Sequence, residues 1–120
     1  MESLIGKRLI EIRGKKFETN NKSFEEIYFV FPEANFVISV NEDTDELIPS
    51  INRSLSLTQY EKLDLLKYEG EILKSIWQCK NHMNYNDLIV IGIGGFQPSL
   101  SLCCAASQIF ISEILESNIN

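Results

Sequence analysis

Four carboxylates crowd into Asn41-Glu42-Asp43-Thr44-Asp45-Glu46. Acids at that density can hold a calcium ion, supply a catalytic pair, meet a basic partner or keep a turn in water. Asn41, Asp43 and Asp45 alternate like the start of an EF-hand loop. That loop needs Gly at its sixth position for a sharp turn and a bidentate Glu at its twelfth, whereas this chain offers Glu46 and Asn52. No metal site is expected. A carboxylate-dependent hydrolase remains an alternative, because the separation of about 5–10 Å between two working carboxyls is set by the fold. Nothing picks two acids out of the 17 in the chain, and carboxylates in an exposed turn stay ionised, without the raised pKa of a general acid.

Other reactive types are poorly placed for chemistry. Gly92-Ile93-Gly94-Gly95 follows an apolar run, but Gln97 stands where the third glycine of a dinucleotide loop belongs, and Pro98 opens another strand-like run. A hairpin turn is the simpler reading. Cys79 and His82 lie three residues apart with no identifiable orienting carboxylate. Ser107 has no G-x-S-x-G setting. Cys79, Cys103 and Cys104 form an odd set with a vicinal pair, which fits neither a disulfide framework nor a zinc ligand spacing. Reduced thiols, no catalytic residue and no cofactor are expected.

The net charge of −6 is unevenly distributed. Residues 1–24 carry Lys7, Arg8, Arg13, Lys15, Lys16 and Lys22 against Glu2, Glu11 and Glu18. Residues 25–50 carry Glu25, Glu26, Glu33, Glu42, Asp43, Asp45 and Glu46 and no base. Such a surface repels phosphate, which argues against direct nucleic-acid binding and favours a basic protein partner. No apolar run approaches the roughly 20 residues that span a bilayer, and the first residues lack the pattern of a secretory signal. No membrane partner and a cytoplasmic location are expected.

These residues need elements to position them. Ile27–Phe31 and Phe36–Val40 are aromatic and β-branched runs around Pro32-Glu33-Ala34-Asn35, a hairpin pattern with Phe36, Ile38 and Val40 on one face. Leu47–Ile51 reads as an edge strand because of Pro49. Arg8–Arg13 reads as a strand ending at Gly14. The second half runs similarly through Gly70–Trp77, Leu88–Ile91, Ser99–Cys104, with Leu100, Leu102 and Cys104 on one side, and Gln108–Ile114. Ala105-Ala106-Ser107 then occupies the place of the acidic stretch. Thr58-x-x-Glu61 has capping-box spacing, and Tyr60, Leu63 and Leu66 recur at helical spacing. The expectation is one mainly β (α+β) domain over residues 1–120. It would contain two similar four-stranded antiparallel units, about 1–54 and 69–116, joined by a helix over about 58–68, as a sandwich or partly closed barrel.

The run from Trp77 to Asp87 places Asn81 and Asn84 where a turn needs left-handed geometry. Trp77 is expected in the core, and Tyr85 is a candidate interface anchor. With Asn81, Tyr85, Asp87 and Ser107, Gly6-Lys7 and Asn41–Leu47, Trp77 resembles a family of small, functionally uncharacterised bacterial proteins. That family has a Trp strand and an N-x-x-G-Y-x-D turn. Asn84 replaces its Gly, a change a left-handed turn accepts. By size and charge alone the chain is also similar to immunity proteins that neutralise toxins. That likeness implies an acidic edge occluding a basic active-site surface, with Glu25, Glu26, Glu33, Glu42, Asp43, Asp45, Glu46 and Tyr85 as partner-binding residues. A small housekeeping protein, structural or homodimeric, is the other alternative.

Overall fold

Aromatic and β-branched runs broken by Pro, Gly and Asn clusters can satisfy their backbone groups only by pairing with one another. The computed structural model, which describes residues 2–53 and 60–114, is accordingly dominated by strands. These are β1 (Glu11–Phe17), β2 (Asn20–Val30), β3 (Asn35–Asn41), β4 (Glu46–Asn52), β5 (Glu61–Lys62), β6 (Leu73–Lys80), β7 (Asn86–Ile93), β8 (Leu100–Ala105) and β9 (Gln108–Glu113). All their pairings are antiparallel. The order is β4-β3-β2-β9-β8-β7-β6, with β1 on the other edge of β2 and β5 beyond β1. One sheet, curled into a half barrel, results.

Length makes β2 the branch point. Along one edge it pairs with β1, while the other is shared: Ile27 to Val30 face β3, and Phe24 faces Ile109 of β9. The Ser23 hydroxyl, fully buried, donates to Gln108 Oε1 at this junction. The curl is tied by residues leading into β1 and β6. Gly6 and Gly70, at φ 88° and 82°, donate to the carbonyls of Leu73 and Leu9, and Leu73 and Leu9 donate in return to Lys7 and Glu71.

The two halves do not form separate units. A single core takes Leu9, Ile12, Phe29 and Phe36 from one and Leu73, Ile89, Leu100 and Leu102 from the other, all at most 2% exposed. At roughly 1.5–3 kcal/mol per large side chain removed from water, this shared burial is the main force holding the sheet curled. Phe36 and Ile38, then Leu100 and Leu102, face the core as their alternation requires. Val40 and Cys104 pack partly against it.

Three local expectations are corrected. Residues 60–68 contain β5 and a 3-10 turn at Leu66–Tyr68 in place of a helix; Thr58 lies outside the described residues. The edge of β1 offers β5 strand partners, and Leu63 N–H donates to the Ile12 carbonyl (2.9 Å), so pairing overrides helical spacing. Secondly, β1 starts at Glu11 and runs through Gly14, where a Cβ would come within 2.7 Å of the Phe24 ring. Gly there admits the ring; it does not end the strand. Thirdly, Trp77 is 39% exposed. A register shift between Leu73 and Ser75 moves the strand's phase, leaving Leu73 inside and Trp77 opposite half-buried Val90.

Candidate functional site

The acidic stretch connects β3 to β4, and its backbone explains its composition. Asn41 Oδ1 accepts the Asp43 N–H (3.0 Å) and the Asn41 carbonyl accepts the Asp45 N–H (2.8 Å). Asp45 takes φ 58°, a left-handed value that Asp tolerates better than most residues. This conformation aims its carboxylate at the neighbouring β8–β9 turn. There Oδ1 accepts the Ser107 N–H (2.8 Å) and the Cys104 thiol (3.0 Å), while Oδ2 accepts the Ala106 N–H (3.0 Å).

Ala106 and Ser107 both have positive φ, 52° and 61°, as a two-residue hairpin turn with primed geometry requires. Neither side chain favours that region. The conformation turns successive N–H groups toward one point, a concavity suited to an anion, and Asp45 supplies it. The Cys104 thiol bond, then the Ser107 N–H, holds the Asp45 carboxyl below its usual pKa. Burial and the adjoining carboxylate push the Cys104 thiol up to about 12, so it stays a protonated donor. A carboxylate engaged this way is an acceptor, not an acid catalyst.

Glu46 makes a second tie. Its Oε2 accepts the Asn86 N–H (3.1 Å), which keeps its pKa below the usual value. Asn86, buried at the start of β7, donates from Nδ2 to the Leu47 carbonyl (3.1 Å) and to Gln78 Oε1 (3.2 Å). The β3–β4 turn is thus pinned to the second half of the chain at its C-terminal end, through Asp45 and Glu46, and Glu42 and Asp43 just before them are left exposed.

The remaining candidate residues are dispersed. Glu25 pairs with Lys15 at 2.8 Å. Glu26 accepts from the Tyr28 hydroxyl (3.2 Å), whose pKa is raised chiefly by burial; Tyr28 also stacks on Tyr60 with ring centroids 4.8 Å apart. Glu33 sits exposed in the β2–β3 turn, at the opposite end of β3 from the acidic turn. Tyr85 is half-buried, and its N–H donates to Asn81 Oδ1 (3.2 Å). Asn81 also accepts from Met83 N–H (2.8 Å) and donates to Asp87 (3.2 Å), while Asn84 takes φ 69°. The Asn81–Asp87 residues build a turn between β6 and β7.

Cys79 is half-buried and His82 exposed, and no group of three potential metal ligands occurs among the described residues. Sequence reasoning missed Asn86 and Cys104 as partners of the acidic turn. An Asn opening an apolar strand is the one signal available for the first. Nothing local could reveal the second.

A family model described as "Family of unknown function (DUF6334)" matches residues 1–118. Neither the curated proteins nor the solved structures contain a match to the chain.

Proposed function

The chain belongs to this family of unknown function, and from its own surface chemistry we propose that it is a non-catalytic binding module whose acidic β3–β4 turn docks on a basic protein partner. The reading takes the form of a bacterial immunity protein acting in the cytoplasm. The turn enters the basic active-site cleft of a toxin, speeds encounter by electrostatic steering, and blocks substrate by volume.

One observation carries it. Asp45 and Glu46 spend their carboxylates on the Ala106, Ser107 and Asn86 backbone, so Glu42 and Asp43 are displayed on a turn already fixed. A displayed pair that needs no ordering loses less entropy on binding. The test is titration of the product of the neighbouring reading frame at two salt concentrations. Reversal of Glu42 and Asp43 to Lys should weaken binding at least about tenfold and flatten its salt dependence. Unchanged affinity and salt slope in the double variant would sink the docking role.

A homodimer is the second reading, favoured by the outer face of β6–β9. Exposed Trp77 lies opposite Val90 there, and the next row along the same face aligns Cys79, Leu88, Cys103 and Phe110. Sedimentation at two concentrations separates the readings, a stable dimer supporting this one.

A further inference from the structure

The end of the β3–β4 hairpin away from the acidic turn has the reverse chemistry. A cavity of about 130 Å³ opens between the first residues of the chain, the β2–β3 turn and the end of β4. Its walls are apolar: Leu4, Phe31 and Ala34 are buried, with Pro32 and Ile51 completing them. Lys7, Arg8 and Arg53 also line it, and each is exposed. Among the described residues none of these three cations takes part in an ion pair. Arg8 Nη1 donates to the Gly70 carbonyl (2.6 Å), which steadies the guanidinium and leaves its other N–H groups to be used. Among the described residues that line it, Glu33 is the one carboxylate.

Three cations against one acid is an unusual local balance in a chain of net charge −6. The seven residues of β3 separate it from the acidic turn by roughly 20 Å. At physiological salt the Debye length is about 8 Å, so the distant acids do little to repel an anion arriving here. Like charges gathered around a low-dielectric hollow repel one another, and an anion relieves that repulsion.

We propose that this cavity binds a compact organic acid, its carboxylate held by Lys7, Arg8 and Arg53 and its short apolar body seated against Leu4, Phe31, Ala34 and Ile51. The planar fork of Arg matches a carboxylate in two parallel hydrogen bonds. The volume is close to the ~150 Å³ of an apolar cavity that accepts benzene, which limits the body to about six carbons.

The experiment is an amide-resolved NMR titration of the full chain with hexanoate and benzoate, alongside hexanol, acetate and inorganic phosphate. Saturable shifts centred on residues 3–8, 31–34 and 51–53 are expected with the two acids, at a Kd of roughly millimolar. Arg53→Gln and Lys7→Gln should each weaken hexanoate about tenfold. Ala34→Leu, which fills the hollow, should abolish binding while the remaining spectrum stays native. If Ala34→Leu disturbs the fold, the two charge variants decide alone. Hexanol binding as tightly as hexanoate would overturn the role of the cations. Acetate or phosphate matching it would overturn the role of the cavity. Shifts centred elsewhere would overturn both. None of these results touches Glu42 or Asp43, so this site and the acidic docking surface fail or stand separately.

Discussion

The β3–β4 connection spends four residues, Glu42 to Asp45, and carries three of its acids there, with a fourth opening β4. The β8–β9 connection beside it spends only Ala106 and Ser107. The short turn needs two left-handed residues and has neither Gly nor Asn to supply them. The long turn places one Asp in left-handed geometry and points it at the amides the short turn leaves unpaired. Each supplies what the other lacks, and the comparison divides a cluster that looks uniform. Asp45 and Glu46 bind their own chain, whereas Glu42 and Asp43 are available to another.

The largest way to break this arrangement is Asp45→Ala. It removes the acceptor for two backbone N–H groups and a thiol, and should cost about 2 kcal/mol after allowing for solvent at this half-exposed site. Urea denaturation measures the loss. A change indistinguishable from zero would mean the short turn holds itself.

Acid should act next. The folded pKa values of Asp45 and Glu46 are both lowered, by the Cys104 thiol and the Asn86 N–H respectively. Their contribution is therefore complete above the unfolded carboxylate values of about 4, and is lost as pH falls through the lower folded values. Below about pH 4 the wild type should lose stability more steeply than Asp45→Asn, which keeps an acceptor oxygen but no titrating charge. Parallel pH profiles would remove Asp45 as a source of that slope.

A smaller effect has the opposite sign. Replacing Ala106-Ser107 by Asn-Gly supplies residues suited to positive φ and should stabilise by about 1 kcal/mol. The gain should be larger in the Asp45→Ala background if the carboxylate is what now offsets the strain; a double-mutant cycle reads that coupling. Smallest on stability is reversal of Glu42 and Asp43 to Lys, for which an unchanged Tm is expected because both side chains are exposed and neither has a hydrogen-bond or ion-pair partner among the described residues. A marked drop in Tm would place them with Asp45 and Glu46.

Much of the strand plan is legible in sequence because a half-buried strand must alternate. Phe36, Ile38, Leu100 and Leu102 announce their faces, and Pro49 marks β4 as terminal in the order. The failures come where distant chain decides. Leu63 and Tyr60 have helical spacing, yet β1 offers a strand edge and Tyr28 a ring to stack on. Trp77 follows the alternation of its strand only after a bulge shifts the phase. At the acidic stretch the sequence shows a solvated turn and excludes a calcium loop by the residues at two positions. It does not show which carboxylates are spent internally.

By itself the sequence determined a mainly β chain with an acidic middle and a basic start, since composition and period-two patterning are local properties. Only the tertiary structure decided that β2 carries both β3 and β9, that the halves share one core, and that Asp45 meets Ala106 and Ser107 some sixty residues away. Hydrogen bonds and burial depend on where distant segments arrive, and no local pattern of residues encodes that distance.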